Sequence, residues 1–154
     1  MTTELFLTAL AVTTIITGAL AASVDWRSHR VPDSLLMWAM APVVLAVVVD
    51  DEPIGRLFAV AIGTGVMALP LLLIHLVSPG AIGFGDVKLA AVLGAALGLL
   101  APVLAVPALA IATGLTLVGA ACTRRVAVPF APGLVAGVGA AVAFGTLEGW
   151  KVAA

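Results

Sequence analysis

Apolar positions fill the chain in long stretches, broken by short polar clusters. Residues 5–24 carry no charge. As a helix at about 1.5 Å per residue they would be about 30 Å long, the thickness of a bilayer's hydrocarbon core. The polar loop "DWRSHRVPD" (25–33) follows, then a second apolar stretch, 34–49, with Pro42 inside it. The acidic "DDEPIGR" (50–56) leads to a third stretch, 57–77, in which Pro70 is expected to kink the helix. "SPGAIGFGD" (78–86) is a glycine-rich connection. Residues 87–123 hold one charge, Lys88. One helix of that length would reach about 55 Å, too long for a single crossing. The expected break lies at Ala101-Pro102, with Pro107 the alternative, giving stretches 87–101 and 103–122. After "TRRVAVPFAPG" (123–133), a sixth stretch covers 129–147, beginning near Pro129.

Composition turns these stretches into membrane spans. The 154 residues are 63% hydrophobic and 10% charged, and the mean hydropathy is +1.27. A soluble domain of this length needs far more polar surface. In lipid, a helix satisfies its own backbone hydrogen bonds, so an all-α integral membrane protein is expected, with 1–154 as one polytopic domain. Net charge is −1, which gives no reason to expect a nucleic-acid partner. The single cysteine, Cys122, excludes an internal disulfide and a Cys-based zinc site. The two histidines, His29 and His75, lack ligand spacing, so no metal or other cofactor is expected. "ALAASVD" offers a signal-peptidase-like site, but the first residues contain Glu4 and no Lys or Arg, so a retained first helix is expected.

Charge placement sets the orientation. With the N-terminus outside, the inner loops hold Arg27, Arg30, Lys88, Arg124 and Arg125, and the outer segments hold Arg56 and Lys151. This asymmetry favours six transmembrane helices with both termini outside. Trp26, Trp38 and Trp150 suit the interfacial belts, Trp38 lying slightly inside its span. Small residues four apart (Gly94/Gly98, Gly133/Gly137, Ala141/Gly145) suit close helix packing.

Two carboxylates stand apart from the loop and terminal acids. Asp25 ends the first span and Asp86 starts the fourth, both at the cytoplasmic face in this topology. Ionisable groups at such positions are costly and usually functional. Two carboxylates held close cannot both ionise cheaply, so they share a proton. One can then deprotonate a water while the other polarises a carbonyl, which is aspartic-protease chemistry and needs no metal. Gly83 and Gly85 leave room for a substrate backbone beside Asp86. Pairing with Arg27 and Lys88 is the alternative use of these two acids.

The local sequences carry a family resemblance. "GFGDVKL" resembles the GxGD motif of intramembrane-type aspartyl proteases. "DWRSHRVPDSLL" resembles the first aspartate motif of type IV prepilin peptidases, with Asp25, Arg27, Arg30, Val31 and Pro32 in register and Asp33 where that family commonly has Asn. "VPFAPGLVAG", with Pro129 and Phe130, is similar to the Pro-Phe-x-Pro stretch at the start of that family's last span. The resemblance implies that Asp25 and Asp86 are the catalytic pair, with Gly83, Gly85, Lys88, Pro32, Pro129 and Phe130 binding substrate or shaping the site. It implies cleavage, after glycine, of a short basic leader from prepilin or pseudopilin precursors at the inner membrane. The precursor and the lipid bilayer are then the expected partners. A chain with one cysteine and no added cytoplasmic segment looks like the short, peptidase-only form, so no methyltransferase activity is expected. The family also implies that the two aspartates meet only when helices shift on substrate binding.

Further polar residues bear on this reading. His29 follows Asp25 by four residues and would share its face if the helix continued one turn. His75 is expected to snorkel to the interface, although it could approach the glycine-rich loop. Lys88 either acts on Asp86 or reaches the headgroups. The competing function is a small proton-coupled transporter or channel with Asp25 and Asp86 as a relay. It would need a polar path, for which the spans offer only threonines: Thr8, Thr13, Thr14, Thr17, Thr64, Thr113 and Thr116.

Overall fold

A computed structural model describes residues 3–28, 33–78, 81–123 and 130–147. These form six α-helices and one 3₁₀ turn, with no strand among the described residues. The helices are α1 (Thr3–Ser28), α2 (Asp33–Val49), α3 (Pro53–Val77), α4 (Phe84–Leu100), α5 (Ala105–Thr123) and α6 (Ala131–Leu147). Of the residues singled out above, His29, Arg30, Val31, Pro32, Arg124, Arg125, Pro129, Trp150 and Lys151 lie outside the described residues. So do the side chains of Asp25, Trp26, Arg27 and Asp33, whose backbones belong to α1 and α2.

Each apolar stretch forms one helix, and proline sets several of the ends. Pro53 occupies the first turn of α3, where its missing N–H has no helical acceptor to lose. Ser78 and Ala101 each precede a proline and leave the helical region, at φ −142°, ψ 78° and φ −165°, ψ 114°. Proline crowds the backbone of the preceding residue and disfavours the α region there. The break at Ala101-Pro102 is therefore real, with Pro102–Leu104 forming the 3₁₀ turn. α5 runs through Pro107, which sits in its first turn, where no helical hydrogen bond is lost.

Some boundaries differ from expectation. α1 continues through residues 25–28, expected to be loop. α3 begins four residues before the expected 57, and α4 begins at Phe84 rather than at 87. Both early starts add a polar or glycine-containing first turn that hydropathy alone assigns to a loop.

α4 is the central helix. Val87, Leu89, Ala90 and every residue from Val92 to Leu100 are buried. α1, α2, α3 and α6 all pack on it. α3 comes closest, because glycines remove the side chains between the two backbones. A Cβ on Gly94 would lie 2.5 Å from the Gly63 carbonyl oxygen, and one on Gly98 would lie 2.5 Å from that of Ala59. Gly133 and Gly137 set α6 against Ala112 and Ala108 of α5 in the same way, and Gly145 meets Leu104. The expected small-residue pairs are thus seats for neighbouring helices.

Among the described residues, large apolar side chains cover much of the outer surface. Leu5, Ile16, Leu20, Met37, Trp38, Val48, Phe58, Leu69 and Leu117 are all exposed. Such a surface suits lipid rather than water. Two segments, Pro53–Val77 and Pro102–Cys122, have the length and hydropathy to cross a membrane. Leu5–Leu20, Ser34–Val49 and Ala131–Gly145 are shorter apolar helices.

Candidate active site

The glycine-rich stretch builds a helix start around Asp86. Gly83 is the N-cap of α4, in extended conformation at φ −69°, ψ 144°. Phe84, Gly85 and Asp86 form the first turn, and the Asp86 N–H donates to the Gly83 carbonyl oxygen at 3.1 Å. The carboxylate folds back over the cap. A Cβ on Gly83 would lie 3.6 Å from Asp86 Oδ2, so a larger side chain there would compete for the space beside the acid. Oδ1 is closed off from solvent. A helix N-terminus carries partial positive charge and unpaired N–H groups, so an acid in the first turn is electrostatically favoured.

The C-terminal end of α3 braces this turn. His75 Nδ1 lies 2.8 Å from the Ile82 carbonyl oxygen, immediately before the N-cap. Its ring is 5.5 Å from that of Phe84, tilted by 39°. On Phe84, one turn before it in sequence, sits Lys88, with Nζ 5.1 Å from the ring centroid. A cation over an aromatic face is favourable, and this one holds the lysine on the first turn of α4. His75 therefore does approach the glycine-rich loop, rather than simply turning to the interface.

α1 brings Asp25 to the same end of the protein. Gly18 seats α1 on Leu89 and Leu93: a Cβ there would lie 3.0 Å from Leu93 Cδ2 and 3.7 Å from Leu89 Cδ1. Leu7 and Ala11 share a buried cluster with Ala95, Leu99 and Leu100, so α1 and α4 run antiparallel. Asp25 lies seven residues after Gly18, and Asp86 seven residues before Leu93. Seven residues are nearly two turns, about 10.5 Å, so both positions lie toward the same end of the antiparallel pair.

The remaining candidates divide. Phe130 is half-buried, packs on the central core, and accepts the Leu134 N–H at 3.1 Å at the entry to α6. Lys88 also lines an open cavity of about 550 Å³, with Leu36, Met37 and Met40 of α2, Thr64 of α3, and Ala91 and Val92 of α4. Nothing in the sequence marked α2 as a wall beside Lys88, because apolar residues face both lipid and cavity. Among the described residues, no three His, Cys, Asp or Glu side chains converge.

At the opposite end of α4 a second polar group closes the fold. Arg56 Nε donates to Asp50 Oδ2 at 2.7 Å, and Arg56 Nη1 donates to the Leu99 carbonyl oxygen at 3.3 Å. The Glu52 N–H donates to Asp50 Oδ1 at 2.9 Å. That backbone hydrogen bond, aided by Arg56 and opposed by burial, holds the Asp50 carboxyl below its ordinary value of 3.8.

The threonines bear on the relay alternative. Thr13, Thr14, Thr17, Thr113 and Thr116 donate their hydroxyl protons to carbonyls of their own helices. Hydroxyls used in this way do not form a chain of donors through the protein.

Among known families, the model of the type IV leader peptidase family matches residues 10–120, a stretch containing both Asp25 and Asp86. No curated protein and no solved structure matches the chain.

Proposed function

Because this chain belongs to the type IV leader peptidase family, we propose that it is a membrane-embedded aspartyl endopeptidase acting on prepilin or pseudopilin precursors. It removes the short basic leader after glycine, with Asp25 and Asp86 as the catalytic pair. The observation that carries the pairing is the antiparallel seat of Gly18 on Leu93, from which each acid lies two turns away toward one end. Six crossings of the inner membrane, both termini outside, put that end at the cytoplasmic face. The apolar outer surface and the charge distribution support this topology. The precursor's apolar segment stays in the bilayer beside the spans while its leader reaches the site from the cytoplasm.

The chemistry needs one proton shared by two carboxylates. The ionised acid takes a proton from water as the oxygen attacks the scissile carbonyl carbon. The protonated acid hydrogen-bonds the carbonyl oxygen and stabilises the charge that grows on it. When the tetrahedral intermediate collapses, the C–N bond breaks and the departing nitrogen takes a proton from the acid that accepted it from water. Gly83 leaves the approach to Asp86 open, and no covalent intermediate forms.

Co-expression with a candidate precursor tests this reading. Wild type should shorten the precursor, and Asp25→Asn and Asp86→Asn should each leave it uncut while still inserting in the membrane. Full leader removal by either variant would overturn the dyad. Ion or solute flux in vesicles without cleavage would point instead to the relay.

A further inference from the structure

The first turn of α4 has a weakness. Gly83 and Gly85 flank the segment that aims Asp86, and glycine loses more conformational freedom on ordering than any other residue. Gly63, Gly94 and Gly98 fix how α3 lies along the body of α4, but those contacts begin two turns below Asp86. Val87, Leu89 and Ala90 are buried just past Asp86, so what is left to fix is the glycine-containing turn before them.

We infer that His75 is the positioning residue for Asp86: its Nδ1–H clamps the Ile82 carbonyl and its ring braces Phe84, fixing the turn that presents the acid. The inference rests on the peptidase reading above. A carbonyl oxygen only accepts, so Nδ1 carries the proton in this 2.8 Å contact. The Ile82 carbonyl belongs to the peptide plane that also contains the Gly83 nitrogen. Holding it sets the orientation in which Gly83 enters the helix. The Gly83 carbonyl in turn accepts the Asp86 N–H. The ring contact to Phe84, itself covered by Lys88 Nζ, pins the side of the same turn. α3 thus reaches the turn that carries the acid through one hydrogen bond and one aromatic contact. A carboxylate displaced by an ångström loses much of its rate, although substrate still binds.

Three substitutions separate the hydrogen bond from the ring. The Asn amide N–H can occupy the place of Nδ1, the longer Gln amide reaches beyond it, and Phe keeps the ring without a donor. In purified protein cutting a precursor peptide, His75→Asn should retain kcat within about threefold. His75→Gln and His75→Phe should lose roughly 10- to 100-fold in kcat with KM little changed. A wild-type kcat in His75→Phe would overturn the inference, as would an equal loss in Asn and Gln, or a rise in KM with kcat intact. If His75→Phe fails to accumulate, the contrast between Asn and Gln decides alone. Asp86→Asn is the parallel control. A wild type that leaves the peptide uncut overturns the peptidase reading itself, whereas a cutting wild type with indifferent His75 variants overturns only the clamp.

Discussion

Gly18 of α1 lies against Leu93 of α4 so closely that a single methyl at position 18 would reach within 3.0 Å of Leu93 Cδ2. This seat brings the two acid-bearing helices together, and it allows a graded test. Leu93 Cδ2 is the end of a flexible side chain, so Gly18→Ala should cost less than about threefold in leader cleavage. Gly18→Leu must push α1 off α4 and should lower cleavage at least about tenfold, at a strain cost of about 1–3 kcal/mol. Leader removal in cells and thermal unfolding of the purified protein together read both effects.

The α3–α4 contact should be far less forgiving, because it is backbone on backbone. Gly94→Ala places its methyl 2.5 Å from the Gly63 carbonyl oxygen, and neither helix can yield without separating. We expect a loss of about 2–3 kcal/mol in detergent unfolding, or failure to accumulate. Gly114 and Gly139 have no atom within 4 Å of an added Cβ. Alanine at either should be neutral, or stabilising by up to about 1 kcal/mol from helix propensity. Equal effects at all three positions would contradict the packing described.

Arg56 offers a test at the far end. Its guanidinium meets both Asp50 and the Leu99 carbonyl at the C-terminus of α4. Arg56→Met leaves the half-buried Asp50 carboxylate with only the Glu52 N–H and removes a donor from a helix-end carbonyl. It should destabilise the fold by about 1–2 kcal/mol. Asp86 lies at the other end of α4, so leader cleavage by the protein that does fold should be unchanged.

Acid should weaken the same corner of the fold through Asp50 itself. The Asp50 carboxyl is held below 3.8 in the folded protein, so the folded state favours its ionised form. That stability is complete above the unfolded-state value of 3.8 and is lost as pH falls through the lower native value. Unfolding of wild type should therefore steepen with acid in that range. Asp50→Asn, which cannot ionise, should show a shallower slope there and lower stability near neutral pH.

The sequence determined the helices and most of their ends. Apolar stretches with almost no charge satisfy their backbones as helices in lipid, and a following proline disfavours the α region at Ser78 and Ala101, although the chain stays helical before Pro42, Pro70 and Pro107. It also nominated Asp25 and Asp86 as the candidate pair, through the motifs around them and their shared end of the expected topology. It placed the start of α4 three residues late, because glycine composition reads as loop while here it forms a cap and first turn. Only the tertiary structure decided that α4 is the centre, that Gly94 faces Gly63, and that His75 reaches Ile82. The physical reason is that lipid is as apolar as a protein core. In a soluble protein, polarity marks the outer face of each helix. Here Leu93, buried, and Leu69, exposed, are the same residue type with the same hydropathy, so which helix meets which is settled by shape, by where glycines let two backbones touch.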